Sequence, residues 1–487
     1  MPVFQPPAID TLAILPLVIV TITAMVVLIV GLFTRHEQSA ILGAIGLIGV
    51  GLAVVATVAL WGQGRTAFGG TIVADNFFVF FGVVSLAIVA LTLILSAEFV
   101  TREEFSAGEY YALLLFSGAG MLVLAASRDL IVLLIGLEIL SMSLYVLAGF
   151  ARDRLTSEEA AVKYFLLGSF SLGLMVYGTA LMYGATGSTQ FGPIAQALAN
   201  AGLLSNPLLL VATGLILVGF AFKLSFVPFH MWTPDVYEGA PTSITAFMSV
   251  GTKAAVFAAL LRVLTEALPA LASHWVIVLW ALAVLTMILG NFAAVVQHNV
   301  KRMLAYSSIA QAGYMLVAVV ATSVGASGAI GRDALMFYVA AYAVMNLGAF
   351  AVIQALSGKD DANTNLARFD GLASRNPLLA GAMAIFMLSL AGLPPTAGFM
   401  AKLYVFSAAI QSGYYELAII GVLTSAVATF YYLKLIVAMY MRPAELGSSG
   451  IRVPGSVAVV LVVAIILTIQ MGVLPGFPLG AAAAALR

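Results

Sequence analysis

The chain of 487 residues contains no cysteine and few charged residues. Without cysteine there is no disulfide, no thiolate-bound iron–sulfur cluster and no cysteine zinc site. Only 9% of the residues are charged, whereas 62% are hydrophobic, and the mean hydropathy is +1.10. This composition leaves too little polar surface for a water-soluble globule of this size, so the sequence predicts an integral membrane protein.

Histidines and nucleotide-binding motifs are also scarce. The four histidines, at positions 36, 230, 274 and 298, are too dispersed to suggest a metal motif, and no phosphate-binding glycine loop is found. Basic and acidic residues balance to a net charge of zero, which gives no indication of a nucleic-acid partner. We therefore expect no metal, no cofactor and no nucleic acid on this chain, and any redox chemistry on another chain.

Long apolar runs make up most of the sequence. A hydrocarbon core about 30 Å thick requires about 20 apolar residues per helix, and backbone polar groups in lipid must be satisfied within helices or closed barrels. The sequence therefore predicts an all-α polytopic membrane protein with fourteen spans. They are placed at residues 10–33, 39–61, 75–97, 110–127, 129–150, 160–185, 206–229, 240–265, 273–296, 301–322, 334–356, 377–409, 415–440 and 454–475. The first run is as long as a full span, so no cleavable signal is expected.

The basic residues of the loops predict an orientation. If the N-terminus is outside, the inner loops hold Arg35, Arg102, Arg152, Arg154, Lys301, Arg302, Lys359, Arg368, Arg375, Arg442 and Arg452. The outer side then holds only Arg65, Arg128, Arg262, Arg332 and Arg487. Because cytoplasmic loops carry an excess of lysine and arginine, this bias predicts that both termini lie outside.

Five charged residues lie inside apolar runs, namely Glu138, Lys223, Lys253, Lys402 and Lys434. A charge at the bilayer centre costs roughly 2.5–3.5 kcal/mol on insertion scales. Each of these side chains must therefore face the protein interior or a water-filled cavity, unless it reaches the membrane surface. Such residues are typical of ion and proton pathways.

Simpler interpretations exist for some of the basic residues. A lysine near a helix end can snorkel to the interface, which is the favoured interpretation for Lys434 and Lys163, and Arg262 is expected to be an interfacial anchor of this kind. The other three embedded lysines have apolar residues on both sides, which favours a functional role. Glu138 would alternatively be a structural carboxylate that satisfies neighbouring backbone.

The lysines also indicate an internal duplication. The pair Lys402 and Lys434 repeats the spacing of the pair Lys223 and Lys253 about 180 residues later. An offset of this size corresponds to five spans. Pro228 and Pro234 follow Lys223, whereas the run GLPP at 392–395 precedes Lys402. Interrupted spans at corresponding places in two halves indicate inverted repeats around a mid-membrane site. We therefore predict that the seventh and twelfth spans are broken helices.

This duplication divides the chain into four parts. Residues 1–109 hold the first three spans, and residues 110–265 form the first inverted repeat, with spans four to eight. Residues 266–440 form the second inverted repeat, with spans nine to thirteen, and residues 441–487 hold the last span. An odd number of spans per repeat requires the two copies to have opposite orientations.

Two segments carry a resemblance to a known family. The segments HMWTPDVYEGAPTSITAFMSVGTKAA (230–255) and NVKRMLAYSSIAQAGYML (299–316) resemble the antiporter-like subunit N of respiratory complex I, the proton-pumping NADH:quinone oxidoreductase. The run PDVYEGAP (234–241) is typical of subunit N among its sisters. Lys402 stands where subunit M carries glutamate, and the chain ends without the lateral helix of subunit L.

The resemblance implies a proton-translocating subunit and roles for five residues. Glu138 corresponds to the acidic partner, Lys223 to its lysine mate, Lys253 to the central lysine and Lys402 to the terminal proton-handling lysine. Lys163 corresponds to a further lysine that modulates the pair. Opening of a Glu138–Lys223 contact would repel charge at the next lysine and drive a proton toward Lys402. Gln311 replaces a histidine of several relatives and cannot titrate.

The resemblance also implies partners and a location. The partners are other membrane subunits of complex I, including neighbouring antiporter-like subunits, and the lipid bilayer of the cell inner (plasma) membrane. NADH or another donor, flavin, iron–sulfur clusters and quinone are then bound by other subunits. Two alternatives stay open, a stand-alone or Mrp-type cation/proton antiporter subunit and a purely structural membrane subunit. Against the antiporter alternative, the sequence shows no cluster of membrane-embedded carboxylates suited to a hard cation.

Overall fold

Apolar runs separated by short polar turns give a chain that is almost entirely helical. The computed structural model describes residues 9–34, 39–199, 206–324, 328–358, 361, 364–444 and 453–485. Within these residues the α-helices are α1 Leu15–Gly31, α2 Ser39–Ala59, α3 Asn76–Arg102, α4 Ala107–Ala126, α5 Leu130–Ala148, α6 Leu155–Thr186, α7 Phe191–Leu198, α8 Pro207–Lys223, α9 Trp232–Gly239, α10 Thr242–Arg262, α11 Ala272–Val295, α12 Val300–Ala321, α13 Gly328–Ser357, α14 Leu372–Arg375, α15 Pro377–Ala391, α16 Ala397–Gln411, α17 Tyr415–Met441, α18 Gly455–Val473 and α19 Gly476–Ala484.

Polar residues in the turns fix where several helices begin. The side chains of Asp75, Asp129, Asn206, Asn299 and Asn376 each accept a hydrogen bond from a backbone N–H in the first turn of the helix that follows. Such N-caps satisfy donors that have no partner within the helix. The short polar turns of the sequence therefore set helix boundaries as well as separating apolar runs.

One small hairpin interrupts the helical order. Strands β1 Arg65–Ala67 and β2 Ile72–Ala74 pair antiparallel, with Thr66 opposite Val73. The turn between them is a 3₁₀ segment, Phe68–Gly70. Gly69 and Gly70 have φ of 66° and 87° there, a region that glycine enters without a Cβ penalty.

Each of the fourteen predicted spans coincides with a helix or a pair of helices. Within the described residues 11 helices are long and apolar enough to cross a membrane, and α1, α8 and α15 are shorter apolar helices. Contacts join loops that were predicted to share a face, for example Arg65 with Asp10 at 2.9 Å and Ser323 with Tyr414 at 2.8 Å. The chain is therefore a multi-pass helical membrane protein, while the number of crossings and the repeats stay predictions.

The two predicted interruptions are confirmed. In the seventh span, predicted at residues 206–229, α8 ends at Lys223, and the short helix α9 begins at Trp232, just beyond the predicted end of the span. In the twelfth span, α15 ends at Ala391 and α16 begins at Ala397. Pro228 in the first connection and the run GLPP (392–395) in the second account for the breaks, because neither proline nor glycine favours continuation of an α-helix.

Four helices form the centre of the bundle. The apolar windows of α10, α12, α13 and α4 are 100%, 94%, 89% and 83% buried within the chain, whereas those of α6, α11, α17 and α18 are 33% buried. A helix at the centre has no lipid-facing side. Polar side chains on the central helices therefore face other protein groups.

Arg262 at the end of α10 is not the interfacial anchor that the sequence suggested. Its side chain is buried and forms two bonds to the carboxylate of Asp75, at 2.5 and 3.0 Å. It also contacts Glu266 at 2.9 Å and the carbonyl of Ala125 at 2.9 Å, and its guanidinium lies 4.4 Å from the ring centroid of Phe77. The prediction failed because a planar, multiply donating guanidinium is suited to buried ion pairs, and the partner lies 187 residues away.

Candidate functional site

Lys402, on the second turn of α16, is held by the end of the helix that precedes the break. Its Nζ donates to the carbonyls of Leu390 at 3.0 Å and Ala391 at 2.9 Å, and to the hydroxyl of Ser425 at 2.7 Å. The ammonium also lies 5.1 Å from the ring centroid of Tyr314. The last carbonyls of a helix have no partner within it and carry partial negative charge. The break therefore creates the site that binds this buried cation.

Two glycines make the approach of α15 and α16 possible. Gly392 has φ of 88°, and a Cβ there would lie 2.8 Å from Cδ of Lys402. A Cβ at Gly398 would overlap the carbonyl oxygen of Ser389. The Gly398 N–H instead donates to the Ser389 hydroxyl at 3.1 Å. Both positions thus require glycine for the lysine to reach the carbonyls.

Gln311 on α12 continues the polar contacts from Lys402 into the bundle centre. Its Nε2 donates to the Leu390 carbonyl at 3.2 Å, the same oxygen that Lys402 contacts, and to the Tyr432 hydroxyl at 3.2 Å. Its Oε1 accepts from the Tyr338 hydroxyl. Tyr432 in turn shares a hydrogen bond with Ser307. This glutamine, which cannot titrate, joins α12 directly to α13, α15 and α17.

Lys253 lies on α10, the most buried helix. Its Nζ donates to the Ser308 hydroxyl on α12 at 2.7 Å, and the Tyr342 hydroxyl on α13 donates to the same oxygen at 2.8 Å. Ser308 precedes Gln311 by about one helical turn, so both side chains lie on the same side of α12. The contacts of Lys253 and those of Lys402 therefore meet along one face of α12.

Lys223, the last residue of α8, has aromatic surroundings. Its Nζ donates to the Tyr145 hydroxyl at 3.1 Å and lies 4.9 Å from the ring centroid of Tyr145 and 5.0 Å from that of Tyr164. The Trp232 indole donates to the carbonyl of Phe222 at 2.9 Å. Because this helix end is capped by other groups, the lysine does not fold back onto its carbonyls. Cation–π contacts and one hydroxyl hold the ammonium instead.

Glu138 is half-buried on α5 and interacts electrostatically with Lys223. The two described side chains do not form a direct ion pair, however, and the hydrogen bond of Lys223 goes to Tyr145. The direct contact expected from the sequence is therefore wrong for this structure. The physical reason is that Tyr145, on the same helix as Glu138, occupies the position next to the ammonium.

Lys163 belongs to a different group of charges. It pairs with Glu159 at 2.5 Å and with Asp235 on α9 at 2.6 Å. Asp235 also binds Arg302 at 2.7 Å, and Arg302 binds Glu238 at 3.0 Å. These contacts join α6 and α12 to the short helix after the first break. Lys163 thus contacts neither Glu138 nor Lys223, and a modulating role would have to act through α9.

Asp361 anchors the start of α10. Its carboxylate accepts from the backbone N–H and hydroxyl of Thr242 at 2.6 and 2.7 Å, and lies 3.7 Å from Lys301 and 3.8 Å from Arg154. Burial alone would raise the pKa of this carboxyl, but Lys301, the hydrogen bonds and Arg154 together hold the pKa below its usual value. Asp361 therefore stays ionised and fixes the helix that carries Lys253.

Lys434 does not join the other embedded lysines. Its Nζ donates to the carbonyls of Val295 at 3.4 Å and Gln297 at 3.3 Å, at the end of α11. A cation at a helix C-terminus is stabilised by the same unpaired carbonyls that hold Lys402. The interfacial role favoured for Lys434 from the sequence stays a prediction.

The sequence identified the buried charges but not their hydroxyl partners. The residues missed are Tyr145, Ser308, Tyr342, Ser425 and Tyr432. The only available signal was a hydroxyl inside an apolar run. This signal is weak, because serine and threonine hydroxyls in helices commonly hydrogen-bond to the backbone of their own helix. Within the described residues no group of three or more His, Cys, Asp or Glu side chains is placed to hold a metal ion.

Comparisons with known proteins give the chain a family. Residues 127–428 match the family described as "NADH:quinone oxidoreductase/Mrp antiporter, TM". The chain is 48% identical over 463 residues to the NADH-quinone oxidoreductase subunit N of Trichlorobacter lovleyi, covering 95% of this chain and 94% of the relative.

Solved structures agree with this assignment. A chain of respiratory complex I from Thermus thermophilus superposes with a TM-score of 0.82 at 36% identity and covers 96% of this chain and 99% of that chain. A chain of the Mrp complex from Dietzia sp. has a TM-score of 0.82 at 22% identity, covers 98% of this chain and 96% of that chain, and shares the fold alone. By its sequence and its fold, this chain belongs to the NADH:quinone oxidoreductase/Mrp antiporter transmembrane family.

Proposed function

We propose that this chain is the proton-translocating subunit N of NADH:quinone oxidoreductase, with Glu138, Lys223, Lys253 and Lys402 as its proton-handling groups. The proposal is supported by the curated relatives that carry the subunit N name over nearly the whole chain. It is carried by one observation. The buried ammonium of Lys402 is bound by carbonyls and a hydroxyl, and one of those carbonyls also accepts from Gln311 in the bundle centre.

The arrangement can move a proton because each ammonium has neutral partners. Tyr145 holds Lys223, Ser308 holds Lys253, and backbone carbonyls hold Lys402. Positive charges repel one another strongly in a low-dielectric interior. Movement of the Lys223 ammonium toward Lys253 would therefore favour loss of the proton from Lys253. The proton would then pass along the polar face of α12 toward Lys402.

Other parts of the machine belong to other chains. Quinone reduction in the complex would supply the energy, and NADH, flavin, iron–sulfur clusters and quinone would bind other subunits. Neighbouring membrane subunits, including antiporter-like ones, would be the direct partners. We further propose that residues 110–265 and 266–440 are inverted repeats and that both termini lie outside the plasma membrane, as the loop charges predict.

A cation/proton antiporter subunit is the second candidate, and the fold shared with the Mrp chain favours it. The two functions differ in their dependence on sodium and potassium. Proton pumping that follows NADH oxidation in membranes free of both ions supports the complex I role. Transport that requires either ion and proceeds without NADH oxidation would support the antiporter.

The decisive experiment replaces Lys402 in the intact complex. Lys402→Ala should abolish pumping through this subunit while the complex still assembles, because no other described group binds the carbonyls of Leu390 and Ala391 as a cation. Lys402→Arg should rescue poorly, since arginine does not release its proton in proteins.

Lys434→Ala is the matched control, because Lys434 is also an embedded lysine on carbonyls but lies at the end of α11. Protons pumped per NADH oxidised would be measured in proteoliposomes, with assembly checked on native gels. An unchanged ratio in Lys402→Ala would overturn the relay.

A further inference from the structure

Tyr145 lies between the two groups that were expected to pair directly. It follows Glu138 by about two helical turns on α5, so both side chains lie on the same side of that helix. Its hydroxyl accepts from the Lys223 ammonium at 3.1 Å, and its ring lies 4.9 Å from that ammonium. Glu138 interacts electrostatically with both Tyr145 and Lys223. The ammonium thus has a neutral partner and a charged partner on one face of one helix.

Space for the Tyr145 hydroxyl is provided by the opposing helix. A Cβ at Gly168 on α6 would overlap the hydroxyl oxygen of Tyr145. The ring packs edge-on against Tyr164 with centroids 4.7 Å apart. Tyr145 is only 5% exposed. Its position is therefore set by packing against α6, on the side where Gly168 and Tyr164 lie.

We infer that Tyr145 is the positioning residue of the Glu138–Lys223 switch. Its hydroxyl binds the Lys223 ammonium when that ammonium is not paired with the Glu138 carboxylate. The inference rests on the proposed function of that pair. The switch then has two arrangements, with Lys223 on Glu138 in one and on Tyr145 in the other. This structure has the second. No covalent bond changes in the exchange, because the ammonium only trades one acceptor for another.

The physical role of a neutral acceptor is to balance the two arrangements. If the Lys223 ammonium had no second acceptor, it would stay on the Glu138 carboxylate, because an unsatisfied charge inside a protein is costly. A hydrogen bond from a charged donor is stronger than one between two neutral groups. The Tyr145 hydroxyl thereby lowers the free-energy cost of separating the Lys223 ammonium from Glu138, and it does so without adding a second negative charge.

Tyr145→Phe tests the inference in the assembled complex, because it removes the acceptor and keeps the ring. We expect proton pumping to fall by about tenfold or more, in line with the strength of a charged hydrogen bond. Gly168→Ala should have the same direction of effect by displacing the hydroxyl. The tyrosine hydroxyl is absent in one variant and misplaced in the other, so agreement between them excludes a simple packing defect.

Three further readouts separate positioning from a structural role. The titratable groups facing the ammonium are Glu138 and Tyr145 on α5 and Tyr164 on α6. In Tyr145→Phe the ammonium spends more time on the carboxylate and holds its proton more firmly, so the alkaline limb of the rate–pH profile should move to higher pH. The effects of Tyr145→Phe and Glu138→Gln should be non-additive. Cryo-electron microscopy of Tyr145→Phe should find Nζ of Lys223 on Glu138.

The control is Tyr111→Phe, which removes the hydroxyl of another buried tyrosine, one without a hydrogen-bond partner among the described residues. Normal pumping and an unshifted pH profile in Tyr145→Phe would overturn the inference while leaving the relay intact. If Lys402→Ala also pumps normally, the proposed function fails as well. A Lys223 that keeps its position in Tyr145→Phe would likewise contradict the two-arrangement switch.

Discussion

At the scale of single residues, the notable property is that the embedded lysines are bound by neutral acceptors. Lys223 binds a tyrosine, Lys253 a serine and Lys402 two carbonyls. Removing one partner from a buried salt bridge costs about 3–5 kcal/mol, whereas a hydrogen bond from a charged group contributes about 1.5–3 kcal/mol. Neutral partners therefore stabilise a buried ammonium without preventing it from losing its proton.

Glu138→Gln should lower proton pumping strongly, by tenfold or more if it removes about 1.4 kcal/mol of charge interaction. The amide keeps the size of the side chain but no longer attracts Lys223. Pumping would be followed by a pH-sensitive dye in vesicles of the purified complex. Glu416→Gln, at an exposed position in the first turn of α17, is the control for loss of one carboxylate. Equal pumping by both variants would remove Glu138 from the relay.

The sequence allowed the charged residues of the site to be predicted, but not their partners. A lysine inside an apolar run is rare and costly, so Lys253 and Lys402 are conspicuous. Ser308 lies 55 residues from Lys253, and its hydroxyl resembles many others that bond their own helix. Only the packing of α10 against α12 selects this serine. The replacement of a direct Glu138–Lys223 pair by Tyr145 depends on packing in the same way.

At the scale of helices, the breaks in the seventh and twelfth spans put unpaired backbone groups inside the protein. Proline in both connections, together with Gly392 in the second, made the breaks predictable. It was not predictable that a lysine would bind the last carbonyls before the second break but not those before the first. The end of α8 is capped by Trp232, whereas the end of α15 leaves Leu390 and Ala391 to Lys402. The difference arises from an indole that reaches back ten residues to a carbonyl.

Gly398→Ala and Gly392→Ala should each reduce pumping through Lys402. The added Cβ would force α15 and α16 apart in the first case, and in the second would strain a backbone with φ of 88°. Gly381→Ala, on α15, meets no atom within 4 Å and should be neutral or slightly stabilising. Pumping and thermal stability of the three variants would be compared. Full pumping by Gly398→Ala would contradict the role assigned to the break.

Asp361→Asn should destabilise the start of α10 by about 3–5 kcal/mol at neutral pH, because Lys301 loses its buried carboxylate. Since the pKa of Asp361 is held below 3.8 in the folded chain, its stabilising effect is present above that value and is lost as the pH falls through the lower, folded pKa. The stability difference from the parent should therefore be constant between pH 8 and 5. Thermal inactivation of the purified complex measures it, and a gap that narrows by pH 6 would contradict the assignment.

At the scale of the whole molecule, the charged residues of the site lie on or against a buried core of central helices. Helices α10 and α12 face no lipid over nearly their entire apolar windows, which are 100% and 94% buried. Buried position explains how polar hydroxyls and amides can be present in such apolar helices. The overall class was predictable from composition, because 62% hydrophobic residues exclude a soluble globule.

The loop charges predict that both termini lie outside the plasma membrane. A tag at either end should be labelled by an impermeant reagent in sealed cells, and a tag inserted between α17 and α18 should be protected. Labelling the same three tagged proteins after permeabilisation shows that each tag is reactive. Protection of both terminal tags in sealed cells would reverse the orientation, and protection of only one would change the number of crossings.

The main-chain ligands of Lys402 have a consequence for sequence variation. Leu390 and Ala391 bind the ammonium through carbonyl oxygens, which every amino acid possesses. No amino-acid substitution at positions 390 and 391 removes these carbonyl oxygens, whatever side chain it introduces. Mutational tolerance at the site should therefore follow the position at which α15 ends, with its glycines as the sensitive points, rather than the chemical type of residues 390 and 391.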